Sequence, residues 1–193
     1  MALVLVAVLA LGAVLLAASG RREEPVAAGT RFDGAIMPKG VRAPDFNLRD
    51  QDGKPVSMRA LRGRPVIVTF LYTTCDDTCP AQAHQVRGAL DDLGHDVPAL
   101  AVAVDPPRDT AERARAFLSK TQALGRIDFV LGSRAQLKPL WKGFAVQPQS
   151  VAVEHQSRVT LVDKRGFQRI GFPGSEVTPE RLAHDVRMLE REG

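Results

Sequence analysis

Two continuous apolar runs, residues 65–71 and 97–104, most restrict what this chain can fold into. Each is short and lacks the polar alternation of a half-exposed strand, so each reads as a strand covered on both faces. Between them, residues 80–93 carry a helical pattern that stops at Gly94. After the second run, Asp105-Pro106-Pro107-Arg108-Asp109 breaks the strand, and Asp109 or Thr110 caps a helix with Ala114, Phe117 and Leu118 as its apolar positions. Residues 127–131 read as a short strand, and Ser133 caps a helix running through Trp141. Residues 159–162 and 167–172 read as a hairpin around Lys164-Arg165-Gly166, and Thr178-Pro179 opens a last helix. Upstream, Phe46-Asn47-Leu48, the turn Asp50-Gln51-Asp52-Gly53 and Val56 form a separate β-hairpin.

This order predicts an α/β protein with a central mixed sheet, helices on both faces and an N-terminal β-hairpin extension. A thioredoxin-like fold has that order, with reactive cysteines after the first long central strand. The expected organisation is an apolar segment over 1–20, a linker over 21–42 rich in Gly and Pro, and the thioredoxin-like domain over 43–193. Residues 2–18 hold no charged side chain and match the length of a transmembrane anchor. A signal peptide is the competing reading, since Ala17-Ala18-Ser19 before Gly20 offers small residues for cleavage. Arg21 and Arg22 follow the run and no basic residue precedes it, which opposes the positive-inside rule for an exported domain. The expected location is nevertheless the cell membrane, with the domain on the extracytoplasmic side, where paired thiols oxidise. The net charge of +4 is scattered and only 5% of residues are aromatic, which argues against a nucleic-acid surface.

The chain's two cysteines sit four apart in Thr74-Cys75-Asp76-Asp77-Thr78-Cys79-Pro80, directly after the first apolar run. Open α/β sheets place their chemistry at such strand ends. Pro80 lacks an N–H and belongs in the first turn of its helix, which begins no earlier than about Asp77. Cys75 then lies in the turn and Cys79 in the first helical turn, with both sulfurs expected on one exposed side. A helix N-terminus favours a thiolate, while Asp76 and Asp77 oppose it. Two thiolates select soft metals, and the count excludes a four-cysteine site. Cu(I) would need one more ligand, for which four histidines compete. His84 lies on the helix, His95 in a polar loop and His184 on the last helix, whereas His155 lies in the loop that enters the strand beside the cysteines.

Four phrases in order resemble the Sco/SenC family of copper chaperones for cytochrome c oxidase assembly. Pro44-Asp45-Phe46 with Asp50-Gln51-Asp52-Gly53 and Leu61-Arg62-Gly63 resembles the family's opening hairpin. Phe70-Leu71-Tyr72-Thr73 into Cys75 and Cys79-Pro80 resembles its C-x₃-C-P signature. Val104-Asp105-Pro106 with Arg108-Asp109-Thr110 resembles its V-D-P-x-R-D-T phrase, and Val153-Glu154-His155 its V-D-H phrase. The resemblance implies that Cys75, Cys79 and His155 bind copper, as Cu(I) or Cu(II), and that the two cysteines cycle between dithiol and disulfide. It implies a membrane-tethered metallochaperone that delivers copper to, or reduces the cysteines of, the dicopper CuA site of an oxidase subunit. Other copper carriers or thiol reductants are the further partners implied. Two departures stand beside the ligands: Asp76 where the family has proline, and Glu154 where it has aspartate.

The rival from the enzyme class is an extracytoplasmic thiol–disulfide oxidoreductase without physiological copper, against which the extra residue between the cysteines counts. A thiol peroxidase fits less well, since Tyr72 stands where its threonine belongs. A purely structural disulfide leaves the strand-end position and the histidine loop unexplained.

Overall fold

The computed structural model describes residues 31–149 and 157–192; the expected apolar segment over 1–20 and His155 with its neighbours lie outside them. Two elements follow from the apolar runs. β4 (Val66–Leu71) and β5 (Ala99–Ala103) are buried at every position, so both faces of the sheet are covered where they lie. They pair in parallel, Ile67 opposite Ala99 and Leu71 opposite Ala103. β6 (Asp128–Val130) continues the parallel edge beyond β5. On the other side β7 (Arg158–Val162) runs antiparallel to β4, β8 (Gln168–Pro173) antiparallel to β7, and β1 (Ala35–Ile36) antiparallel to β8. The six-stranded order is therefore β1-β8-β7-β4-β5-β6, a mixed sheet. β2 (Asn47–Arg49) and β3 (Pro55–Ser57) form the separate hairpin.

The helices are α1 (Thr78–Leu93), α2 (Ala111–Lys120), α3 (Arg134–Gly143) and α4 (Pro179–Arg191). Their ends follow local chemistry. Gly94 takes a left-handed conformation at φ 71° and donates to the Leu90 carbonyl, closing α1. The Thr110 hydroxyl, not Asp109, accepts from the Arg113 N–H to cap α2. Ser133 and Gln136 form a capping box on α3, and Thr178 caps α4 ahead of Pro179. α4 packs along α1 closely enough that a Cβ on Gly88 would lie 2.9 Å from the Pro179 ring. Trp141 of α3 donates from its indole to the Ala103 carbonyl at 2.9 Å, and Phe144 meets Phe70 in a tilted pair with ring centres 5.3 Å apart. Phe70, Ile67, Leu100 and Leu118 are fully buried, each contributing about 1.5–3 kcal/mol of transfer free energy.

Packing begins inside the stretch that the sequence marks as linker. β1 pairs with β8, Phe32 is buried, and both carboxylate oxygens of the buried Asp185 accept backbone N–H groups, from Asp33 at 2.8 Å and Gly34 at 2.9 Å. Gly34 is required by approach rather than by dihedral, since a Cβ there would meet Ile170 at 2.5 Å. Among the described residues no helix is long and apolar enough to cross a membrane.

Candidate metal and thiol site

The cysteine turn leaves the C-terminal end of β4 and is fixed from both sides. Cys75 N–H donates to the Tyr72 carbonyl at 3.3 Å, closing a tight turn. Thr73 is held from 36 positions away: its N–H and its hydroxyl both donate to Asp109 Oδ1, at 2.7 and 2.9 Å. The other Asp109 oxygen accepts the Asp105 N–H at 2.9 Å, so one carboxylate joins the turn to the loop after β5. Burial pushes the Asp109 carboxyl above the usual carboxylate range, against the pull of those bonds.

The first turn of α1 then brings the two sulfurs together. Cys79 N–H donates to Cys75 Sγ at 3.2 Å, and the Thr78 hydroxyl lies 3.6 Å from the same sulfur. The cysteines are unbridged, and both are buried, Cys75 with 7% of its surface exposed and Cys79 with 1%. The expected placement on an exposed side is thus corrected: Cys79 faces inward at the start of α1, and only Cys75 keeps a sliver of solvent. Their chemistry differs accordingly. For Cys75, burial disfavours the thiolate, yet hydrogen bonds from the Cys79 thiol and N–H, the Asp77 N–H and the Thr78 hydroxyl outweigh it and hold the thiol below its ordinary value. For Cys79, burial dominates, and with the Cys75 sulfur beside it the thiol is pushed far up and stays protonated.

The segment bearing His155 is bracketed by described residues on both sides. Gln149 N–H donates to the Val104 carbonyl, and Val104 N–H donates to the Leu71 carbonyl, both at 3.1 Å. On the far side, the Ser157 hydroxyl donates to Gln82 Oε1, and Gln82 Nε2 donates to the Arg158 carbonyl at 2.8 Å and to Thr69 Oγ1 at 2.6 Å. Gln82 lies one turn after Cys79 on α1 and is buried. Residues 149 and 157 are therefore both fastened beside the strand end from which the cysteine turn departs.

Three histidines lie among the described residues. His84 is exposed on α1. His95 joins Glu190 at 2.7 Å, and His184 lies 3.3 Å from Asp33 and 3.0 Å from Asp185. The last three carboxyl and imidazole groups are close enough to hold a cation, but the Asp185 oxygens already serve the backbone of residues 33 and 34. Sequence reasoning missed Gln82 and the Thr73–Asp109 bond, and the phrase Arg108-Asp109-Thr110 was the only signal for the second.

The donor set fits a soft metal ion: two neighbouring sulfurs, one poised to ionise and one whose proton a cation would displace. The same asymmetry fits thiol–disulfide exchange, which needs one nucleophilic sulfur and one that waits.

Residues 37–190 match the SCO1/SenC family model. The chain is 26% identical to an SCO2-like protein of Rickettsia prowazekii over 63% of its own length, spanning 64% of that relative, just under two thirds. Among solved structures it is similar to copper-bound ScoI from Bradyrhizobium japonicum, at TM-score 0.66 and 28% identity, covering 77% of this chain and 99% of that one. It is also similar to BsSco, a member of the Sco family of cytochrome c oxidase assembly proteins in which a disulfide switch was identified. There the TM-score is 0.71 and the identity 26%, covering 82% of this chain and 99% of that one.

Proposed function

The chain belongs to the SCO1/SenC family, and from that premise we propose that it is a copper-binding protein of cytochrome c oxidase assembly, with Cys75, Cys79 and His155 as ligands. The observation that carries the reading is the contact of Cys79 N–H with Cys75 Sγ at a strand end, beside the fastened ends of the His155 segment. On this reading the apolar residues 2–18 tether the domain, residues 43–193 being its working part, to the extracytoplasmic face of a membrane. The client is the CuA-bearing oxidase subunit, to which the protein passes copper or whose cysteines it reduces.

Anaerobic copper titration of the reduced full chain in neutral detergent tests this. The expected result is about one ion per chain, abolished by Cys79→Ser, because a serine oxygen is hard and stays protonated. Retention of tight binding in that variant overturns the ligand assignment.

A second reading, a thiol–disulfide oxidoreductase acting without copper, is favoured by the split between the two thiols, Cys75 held low and Cys79 high. Full disulfide reductase turnover by a chain that takes up no copper selects it.

A further inference from the structure

Beside the cysteine turn lies a cleft of about 330 Å³ whose two walls differ in charge. One wall is the turn itself, with Thr74, Cys75 and Asp76. The other is one face of α2, where Arg113, Phe117 and Lys120 recur at helical spacing. Phe117 is buried and gives the cleft an apolar floor, while Arg113 and Lys120 are exposed.

These two cations differ from their neighbours. Arg115 on the same helix pairs with Asp52, Arg108 with Asp105, and Arg87 and Arg126 with Asp91. The side chains of Arg113 and Lys120 make no hydrogen bond or ion pair among the described residues. Two free cations thus face a cleft that also reaches Cys75, the more accessible of the two cysteines, with the single carboxylate of Asp76 on the cysteine side.

We propose that this cleft is the docking surface for a cysteine-bearing acidic segment of the client, with Arg113 and Lys120 holding its carboxylates while its sulfur meets Cys75. The inference rests on the thiol chemistry of the preceding section and adds the partner's character. Asp76 repels a carboxylate immediately beside the partner's cysteine, so the acidic residues lie to one side and reach across to α2. In the exchange that follows, the Cys75 thiolate attacks a sulfur of the partner's disulfide, that S–S bond breaks, and its other sulfur leaves and takes a proton. The Cys79 thiol then loses its proton to solvent and displaces the partner's thiolate, leaving a Cys75–Cys79 disulfide and a reduced partner.

The test uses the reduced full chain in neutral detergent and three synthetic peptides activated as pyridyl disulfides: acetyl-Glu-Glu-Gly-Cys-Gly-amide and its Gln-Gln and Lys-Lys counterparts. Release of pyridinethione reads the rate. At low salt the acidic peptide should react about three- to tenfold faster than the neutral one, as two exposed charge contacts allow, with the advantage shrinking as salt is added. The R113Q/K120Q variant should bring that ratio to about one, and R113E/K120E should transfer the preference to the Lys-Lys peptide. An acidic-to-neutral ratio of one in the wild-type chain overturns the docking surface, as does a preference that survives both variants. Copper titration of the wild-type chain reads the underlying site separately: a chain that binds copper without the preference loses the docking surface alone, and one with the preference but no copper loses the metal reading alone.

Discussion

Cys79 donates its backbone N–H to the sulfur of Cys75 at 3.2 Å, so the helix that carries the second thiol stabilises the ionised form of the first. Together with the Cys79 thiol, the Asp77 N–H and the Thr78 hydroxyl on Cys75, and the deeper burial of Cys79, this contact makes two chemically identical side chains unequal.

Alkylation should report that inequality. In the reduced chain iodoacetamide should modify Cys75 at least about tenfold faster than Cys79, since the thiolate is the nucleophile. The rate at Cys75 should titrate below 9.0, the ordinary thiol value, because hydrogen bonding outweighs burial there. Cys79, 1% exposed and held protonated, should react only on unfolding. Peptide mapping after timed quenching checks the order, and equal rates would contradict the geometry.

Asp109 should control how firmly the turn is held. Its carboxylate accepts from Thr73 twice and from Asp105 once. In Asp109→Asn one oxygen becomes an amide donor facing an N–H, leaving a buried donor without a partner. The expected loss is about 1–3 kcal/mol of stability, together with faster alkylation of Cys79 under native conditions. Denaturant unfolding checks the first; an unchanged alkylation rate would show that the turn holds without this bond.

Much of this was legible in the sequence because it is local. The runs at 65–71 and 97–104 became β4 and β5, and Gly94, Ser133 and Thr178 ended or began helices where their backbone and side-chain chemistry requires. What was hidden depends on distant partners. Ala35–Ile36 has no strand pattern of its own and is ordered by β8. The burial of both sulfurs follows from how α1 meets β4, which the spacing Cys75-x₃-Cys79 does not encode. Gln82 reads as an ordinary helix-surface residue until Thr69, Ser157 and Arg158 surround it.

His95 should give stability a pH dependence near neutrality. Its Nε2 faces Glu190 Oε1 at 2.7 Å and its Nδ1 faces the Leu93 carbonyl at 2.9 Å, so both nitrogens donate only in the imidazolium form. The Glu190 bond, then that of Leu93, raise the group above 6.5. The folded state therefore holds the proton more tightly than the unfolded chain. Its contribution is full below 6.5 and is lost as pH rises through the higher folded value. The pair is exposed, so the amount is about 0.2–1 kcal/mol. Thermal unfolding at about pH 6 and about pH 8 should show this loss in the wild-type chain and not in His95→Gln. The same slope in both proteins would assign it to another group.

His155→Ala should weaken copper binding far more than His84→Ala, while leaving the Cys75–Cys79 disulfide able to form. Two sulfurs leave a trigonal site one ligand short, and an imidazole suits copper. Gln149 is fastened to the end of β5 and Ser157 to Gln82, one helical turn from Cys79, and His155 lies between these two residues in the sequence. His84 is exposed further along α1. A disulfide needs only the sulfurs, so oxidation without metal should still remove two hydrogens within one peptide in the His155→Ala protein. Loss of a direct ligand should also change the Cu(II)–thiolate absorption, and Gln82→Ala, which frees one fastened end, should fall between the two histidine variants. The conservative Gln82→Glu, able to accept from Ser157 but not to donate to Arg158, should recover part of that loss. Unchanged copper affinity and absorption in His155→Ala would remove the third ligand and leave the dithiol pair as the whole of the chemistry.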